Sequence, residues 1–284
     1  DLAKKLVKNG YDTARKNNMS NQFEQFCKAF ENISGINFDV NQRKIIRDKM
    51  DSGIAVVAGH ETRQQGKDNH PLVSIVIPTF NQADYLREAL DSIIAQTYTH
   101  WEATVVNDGS QDSAVEVMQH YEKVDKRIRT FSKKNGGISS ALNYGIDHAI
   151  GDYFCWLSSD DLFYDYKLEE QIKQFRELDD SYALIYGGYD LLIQDKKRIY
   201  ITQPIEPIES GAEFPEMLKN DFIYGCSVMV RMDVINDIGA FHPYFRHAQD
   251  TEFWLRIASR GFRFYMMDKK LAIRREHSEQ ASTG

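Results

Sequence analysis

From Pro71 onward the chain alternates short apolar runs with longer segments whose apolar residues recur every three or four positions. Val73–Ile77 is β-branched and predicts a strand ended by Pro78. Asp84–Thr97 sets Leu86, Leu90, Ile93 and Ile94 on one helical face. Ala103–Val106 predicts a second strand, broken at Asn107-Asp108-Gly109-Ser110, a turn suited to capping a helix over Asp112–Tyr121. Ile128–Phe131 predicts a third strand, and Asn135-Gly136-Gly137 a tight turn into a helix over Ser139–Ala149. Tyr153–Leu157 then runs five bulky residues without a charge, the pattern of a buried central strand. It stops at two hydroxyls and two carboxylates, Ser158-Ser159-Asp160-Asp161.

This β-α alternation implies a parallel sheet with right-handed crossovers. Loops at the carboxyl ends of such strands share one rim, where α/β sheets bind ligands. Phe80, Asn81, Asp108, Asn135 and Asp160 all fall in those loops. Beyond Asp161 the rhythm loosens: a helix over Leu168–Leu178, a strand over Ala183–Tyr186 ended by Gly187-Gly188, an edge strand over Arg198–Thr202, and a helix around Phe214–Leu218. Strands over Ser227–Arg231 and Phe262–Met266 flank a helix over Ala248–Ser259, and the tail from Arg274 reads as polar. Residues 1–70 read differently, as two or three helices and then a polar linker, Glu61–His70. The expected division is therefore a helical extension over 1–70 and an α/β domain over 71–284.

Composition narrows the function. A net charge of −7 argues against a nucleic-acid binder and a polybasic membrane anchor. Three widely spaced cysteines make no disulfide framework, which favours a reducing compartment, and no apolar run approaches a membrane span. The expectation is a cytoplasmic protein, free or peripheral at the inner face of the membrane. The first residue is not methionine, so further domains of a longer chain are expected to be partners.

The residues themselves support several chemistries. Asp160 beyond a strand end suits a divalent cation held by oxygen ligands, and equally suits a solvated turn or a helix cap. Asp108, on the rim, is able to accept a ring N–H such as that of uracil, or to serve its own turn. Phe80 suits stacking on a base or a place in the core.

Taken together, the motifs resemble one family. Val73–Pro78 with Thr79, Phe80 and Asn81, then Gln96-Thr97-Tyr98, Trp101-Glu102, Val106–Ser110, Asn135-Gly136-Gly137 with Ala141 and Asn143, Ser158–Asp161, and Gln249-Asp250 before Phe253–Arg256 stand in the order of family 2 inverting glycosyltransferases of the GT-A fold. The resemblance implies a Rossmann-like nucleotide-binding half and an acceptor-binding half. It implies transfer of a hexose from a UDP-sugar to a hydroxyl of a glycan, glycoprotein or lipid-linked acceptor. It implies Pro78, Thr79, Phe80, Asn81, Asp108, Asn135, Gly137, Ser159 and Asp160 at the nucleotide. Asp160 is expected to bind Mn2+ or Mg2+, with His277 as a second ligand and Ser158 and Asp161 in support. Asp250 is implied as the catalytic base, with Glu252 as its rival, and Tyr224–Ser227 as the acceptor loop.

Two departures stand out. Ser158 replaces the first aspartate of the Asp-x-Asp motif, and Leu142 stands where many relatives carry arginine; Lys133, Lys134 and Arg246 are candidates to compensate, or are surface charges. Two other readings are kept: a sugar nucleotidyltransferase, which the loop Pro78–Asn81 fits badly for want of glycines and a basic residue, and a degenerate sugar-nucleotide-binding domain of a larger assembly.

Overall fold

The structure is a computed structural model that describes residues 70–193, 198–201, 223–243 and 249–277. The helices expected before residue 61, most of the linker and the helix expected around 214–218 lie outside the described residues. The elements, in chain order, are β1 (Val73–Thr79), α1 (Ala83–Ile94), β2 (Trp101–Asn107), α2 (Ala114–Val124), β3 (Ile128–Ser132), α3 (Ile138–Asp147), β4 (Tyr153–Trp156), β5 (Leu162–Phe163) and α4 (Lys167–Phe175). There follow β6 (Tyr182–Ile193), β7 (Arg198–Ile201), β8 (Met229–Arg231), α5 (Met232–Ile238), α6 (Gln249–Ser259) and β9 (Arg263–Glu276).

The strands form one mixed sheet in the order β3-β2-β1-β4-β8-β6-β9-β5, with β7 paired to β6. The first four are mutually parallel, as the βα alternation requires. β8 runs antiparallel to β4 and β6 and joins the two halves, while β9 returns parallel to β6. The α1 and α2 helices pack together, and α3 packs over β1 and β2. There a Cβ on Gly145 would lie 2.3 Å from Cγ1 of Val76, so glycine lets helix and strand approach closely.

Several elements differ from the sequence expectation, the two-residue β5 among them. β1 continues through Pro78 to Thr79, because β4 pairs with β1 only as far as Val76. The proline nitrogen faces the side where β4 has already ended, so no ladder bond is lost. β6 continues through Gly187-Gly188, where the register with β9 shifts. A Cβ on Gly187 would sit 2.7 Å from the Lys269 carbonyl oxygen; the glycines accommodate a bulge rather than end the strand. β9 reaches Glu276, taking into the sheet the first three residues of what reads as a polar tail. The α5 helix is an element the pattern did not predict: its buried Val234, Ile235 and Ile238 make too short a run for the period to show.

Candidate active site

Because β1, β2, β3 and β4 are parallel, the segments after Thr79, Asn107, Ser132 and Trp156 emerge on one rim. Hydrogen bonds then tie these segments to one another. Asn81 takes a left-handed φ of 53°, its N–H donates to Ser110 Oγ at 3.0 Å, and its Oδ1 accepts the Gln111 N–H at 2.7 Å. The Asp112 carboxylate accepts the Ala83 N–H at 2.8 Å, at the first residue of α1. Asn81 therefore locks the β1 and β2 loops together. Phe80, beside it, is 47% exposed, one of three large apolar side chains so exposed among the described residues. Thr79 is buried, and Pro78 lies within β1.

Asp108 is 4% exposed, yet its carboxylate is well supplied with donors. Lys133 Nζ approaches Oδ1 at 2.6 Å, the Gly136 N–H lies 3.0 Å from Oδ1, and the Gly137 N–H donates to Oδ2 at 2.8 Å. Gly137, with φ 83°, turns its N–H inward, while Asn135 stays exposed. A carboxylate offers about four acceptor positions, so three donors leave room for one more. Lys133 is thus an ion-pair partner rather than a solvated charge, while Lys134 is exposed and Arg246 lies outside the described residues. Leu142 is fully buried in the core.

The loop after β4 is the most densely held. Ser159, Asp160 and Asp161 are 1%, 7% and 3% exposed. Asp160 Oδ2 lies 3.2 Å from His277 Nε2 and accepts from Gln82 Nε2 at 3.2 Å; Ser159 Oγ donates to Gln82 Oε1. Arg275 Nε donates to the Asp160 carbonyl at 2.9 Å, and its Nη2 reaches Glu88 Oε2 at 2.6 Å. Tyr85 of α1 lies beneath both, 4.5 Å from the His277 ring and 5.0 Å from the Arg275 guanidinium. Asp161 points inward. It accepts the Arg275 N–H at 2.9 Å and the Tyr224 hydroxyl, with the Cys226 thiol 3.4 Å away. Burial, and after it the charge of Asp160, pushes the Asp161 carboxyl up to about 7. Ser158 sits against Cys226, its Oγ 3.5 Å from the sulfur.

A histidine and a carboxylate fit a divalent cation. Two donors side by side on one octahedral cation, each about 2.1 Å from it, stand about 3 Å apart, close to the 3.2 Å between Asp160 Oδ2 and His277 Nε2. No group of three or more His, Cys, Asp or Glu residues converges in this way among the described residues.

Asp250 is the second residue of α6, inside its first turn rather than at the cap position, and is half-buried. One turn on, Trp254 stacks on Trp156, ring centroids 5.7 Å apart and planes 10° apart. Trp156 ends β4, two residues before Ser158, so the stack packs α6 against the end of the strand that leads into the Asp160 loop. Glu252 is 2% exposed, and Arg256 donates to both its oxygens, at 2.8 and 2.9 Å. Arg256 also donates to the carbonyls of Ile238, Gly239 and Ala240, closing the end of α5. Glu252 is consumed by this pair.

Gln82 and Arg275 are the residues that sequence reasoning passed over. Gln82 had one signal, its place directly after Asn81 in a rim loop; Arg275 had none, since its role depends on β9 extending past residue 266.

A rim of parallel strand ends with acidic side chains at its center, and a mixed second half beyond, is the crevice in which an α/β sheet binds a nucleotide-type ligand. The glycosyl transferase family 2 model matches residues 74–239, and the chain belongs to that family. An uncharacterized glycosyltransferase of Rickettsia bellii is 40% identical over 216 residues, 75% of this chain and 31% of the relative. A Bacillus subtilis protein described as a teichuronic acid biosynthesis glycosyltransferase, TuaG, is 33% identical over 205 residues, 71% of this chain and 78% of its own. The chain spans about a third of the length of the first of these. Among solved structures, S. aureus TarS 1-349 in complex with UDP-GlcNAc superposes with a TM-score of 0.61 at 18% identity, covering 74% of this chain and 60% of that one. The mannosyltransferase PcManGT of Pyrobaculum calidifontis, in complex with GDP-Man and Mn2+, gives 0.59 at 17% identity over 75% and 59%. These likenesses establish the GT-A fold.

Proposed function

We propose that this domain is a divalent-cation-dependent, inverting hexosyltransferase. It takes a hexose from a UDP-sugar and places it on a hydroxyl of a glycan, glycoprotein or lipid-linked acceptor, in the cytoplasm or at the inner face of the membrane. The observation that carries this reading is the approach of Asp160 and His277 on the rim that also presents Phe80 and Asp108. Asp160 and His277 would hold Mn2+ or Mg2+. Such a cation, when bound, neutralises the charge that builds on the leaving nucleoside diphosphate. Phe80 stacks on the base, and Asp108 takes its ring N–H at the remaining acceptor position. Gly137 and Asn135 border the ribose and phosphates, and Ser158 and Ser159 flank the cation loop. Asp250, in the first turn of α6, takes the proton from the acceptor hydroxyl as it attacks the anomeric carbon.

The TarS complexes with UDP and UDP-GlcNAc support a uridine donor, and the PcManGT complex supports the cation while keeping a guanosine donor in the test. That test is a screen of UDP-sugars and GDP-mannose for thermal stabilisation with and without Mn2+, in the parent and in Asp160→Ala. Stabilisation follows RT ln(1 + [L]/Kd), so ligand at a hundred times Kd gives about 2.7 kcal/mol. A uridine nucleotide should stabilise the parent in the presence of Mn2+, and Asp160→Ala should lose the Mn2+ dependence. Stabilisation by no nucleotide, or only by GDP-mannose, would remove the UDP-sugar reading.

A further inference from the structure

We propose that Gln82 is the positioning residue that orients Asp160 and thereby sets how tightly the site holds its cation. This rests on the reading of Asp160 and His277 as cation ligands. Gln82 stands just before α1, on the loop after β1, and its amide does two opposite things. Its Nε2 donates to Asp160 Oδ2 at 3.2 Å, and its Oε1 accepts from Ser159 Oγ. A glutamine suits this place because one planar group offers a donor and an acceptor side by side. Glutamate would turn a like charge on Asp160, and lysine or arginine would have nothing for Ser159 Oγ to donate to.

The geometry gives the amide leverage. Two neighbours lie at 3.2 Å from Asp160 Oδ2, His277 Nε2 and Gln82 Nε2. With the main chain of Asp160 already fixed by Arg275 through its carbonyl, the freedom left to the carboxylate is rotation of its own side chain. Gln82 limits that rotation and turns Oδ2 toward His277. Hydrogen bonds to a ligating carboxylate are of the kind whose loss typically lowers cation affinity by 10–100-fold. Gln82 is anchored as well as anchoring. Asn81 before it and Ala83 after it are both bonded to the β2–α2 loop, which places the amide without help from a ligand.

The test measures the affinity of Mn2+, by isothermal titration, and of UDP with and without Mn2+, in the parent and in Gln82→Met. Methionine keeps the length and loses both bonds. It should weaken Mn2+ by about 10-fold or more and weaken UDP in Mn2+ while leaving metal-free UDP binding as in the parent. A general loosening of the loop would weaken metal-free UDP as well, so a loss confined to Mn2+ and to Mn2+-dependent UDP binding supports positioning. Gln82→Met with the parent's Mn2+ affinity, or with metal-free UDP weakened to the same extent, overturns the role of Gln82. A parent whose UDP binding ignores Mn2+ overturns instead the cation reading on which the proposal rests.

Discussion

At the scale of single residues, the rim separates groups that hold the site together from groups left to meet a ligand. Asn81 and Asp161 are spent on the protein: one zips two loops, the other lies buried beneath Tyr224, Cys226 and the Arg275 N–H. Asp108 does both, gathering Lys133, Gly136 and Gly137 while keeping an acceptor position. Asp108→Ala should weaken UDP binding by about 1–3 kcal/mol, the scale of a charged hydrogen bond; equal affinity in a titration of mutant and parent would take Asp108 out of the base site. Glu252, the rival of Asp250, is paired on both oxygens with Arg256. Asp250→Asn keeps the shape and removes the base. Turnover of sugar donor should fall by about 10²–10⁴-fold, with UDP and Mn2+ binding near the parent's. Transfer at close to the parental rate would send the search for the base elsewhere.

At the scale of elements, much of the family pattern turns out to be joinery. Gln96 bonds the Tyr164 carbonyl at 2.8 Å and the Leu168 N–H at 3.2 Å, tying the end of α1 to the start of α4. Asn143 clasps the main chain of Phe241 in both directions, at 2.7 and 2.9 Å, holding α3 to the segment after α5. The tightest joint is Gly225, where a Cβ would lie 2.0 Å from the Trp156 ring, whose face is already stacked on Trp254. Neither ring has space to retreat. Gly225→Ala should destabilise the fold by about 1–3 kcal/mol, the cost of overpacking a filled core, readable in a urea midpoint. Because the displaced stack carries α6, turnover should fall further than binding of UDP. A variant with parental stability would show that the turn moves aside freely.

At the scale of the whole molecule, the rim, the Asp160–His277 pair and α6 all lie among the described residues, from 70 onward. A chain beginning at Asp68 should therefore keep its Mn2+-dependent affinity for UDP; a folded protein of that length that no longer binds UDP would show that the amino-terminal residues help build the site. The sequence by itself determined the nucleotide half. Strand, amphipathic helix and turn repeat there with local periods of 2 and 3.6, and parallel pairing follows from the alternation, so the positions of Phe80, Asp108 and Asp160 on one rim were legible before any coordinate. The proposal of Asp250 as the base came only through the family pattern, not from local periodicity. What only the tertiary structure decided lies across long separations. Gly187-Gly188 reads as a stop until β9 lies alongside and shares the bulge. Lys133 reads as a surface charge until Asp108, 25 residues away, meets it. His277 reads as a tail histidine until β9 runs on to Glu276 and delivers it to Asp160, 117 positions earlier. Local periodicity reports which face of an element is buried, whereas a contact between elements depends on which strands become neighbours, and no window along the chain contains both partners.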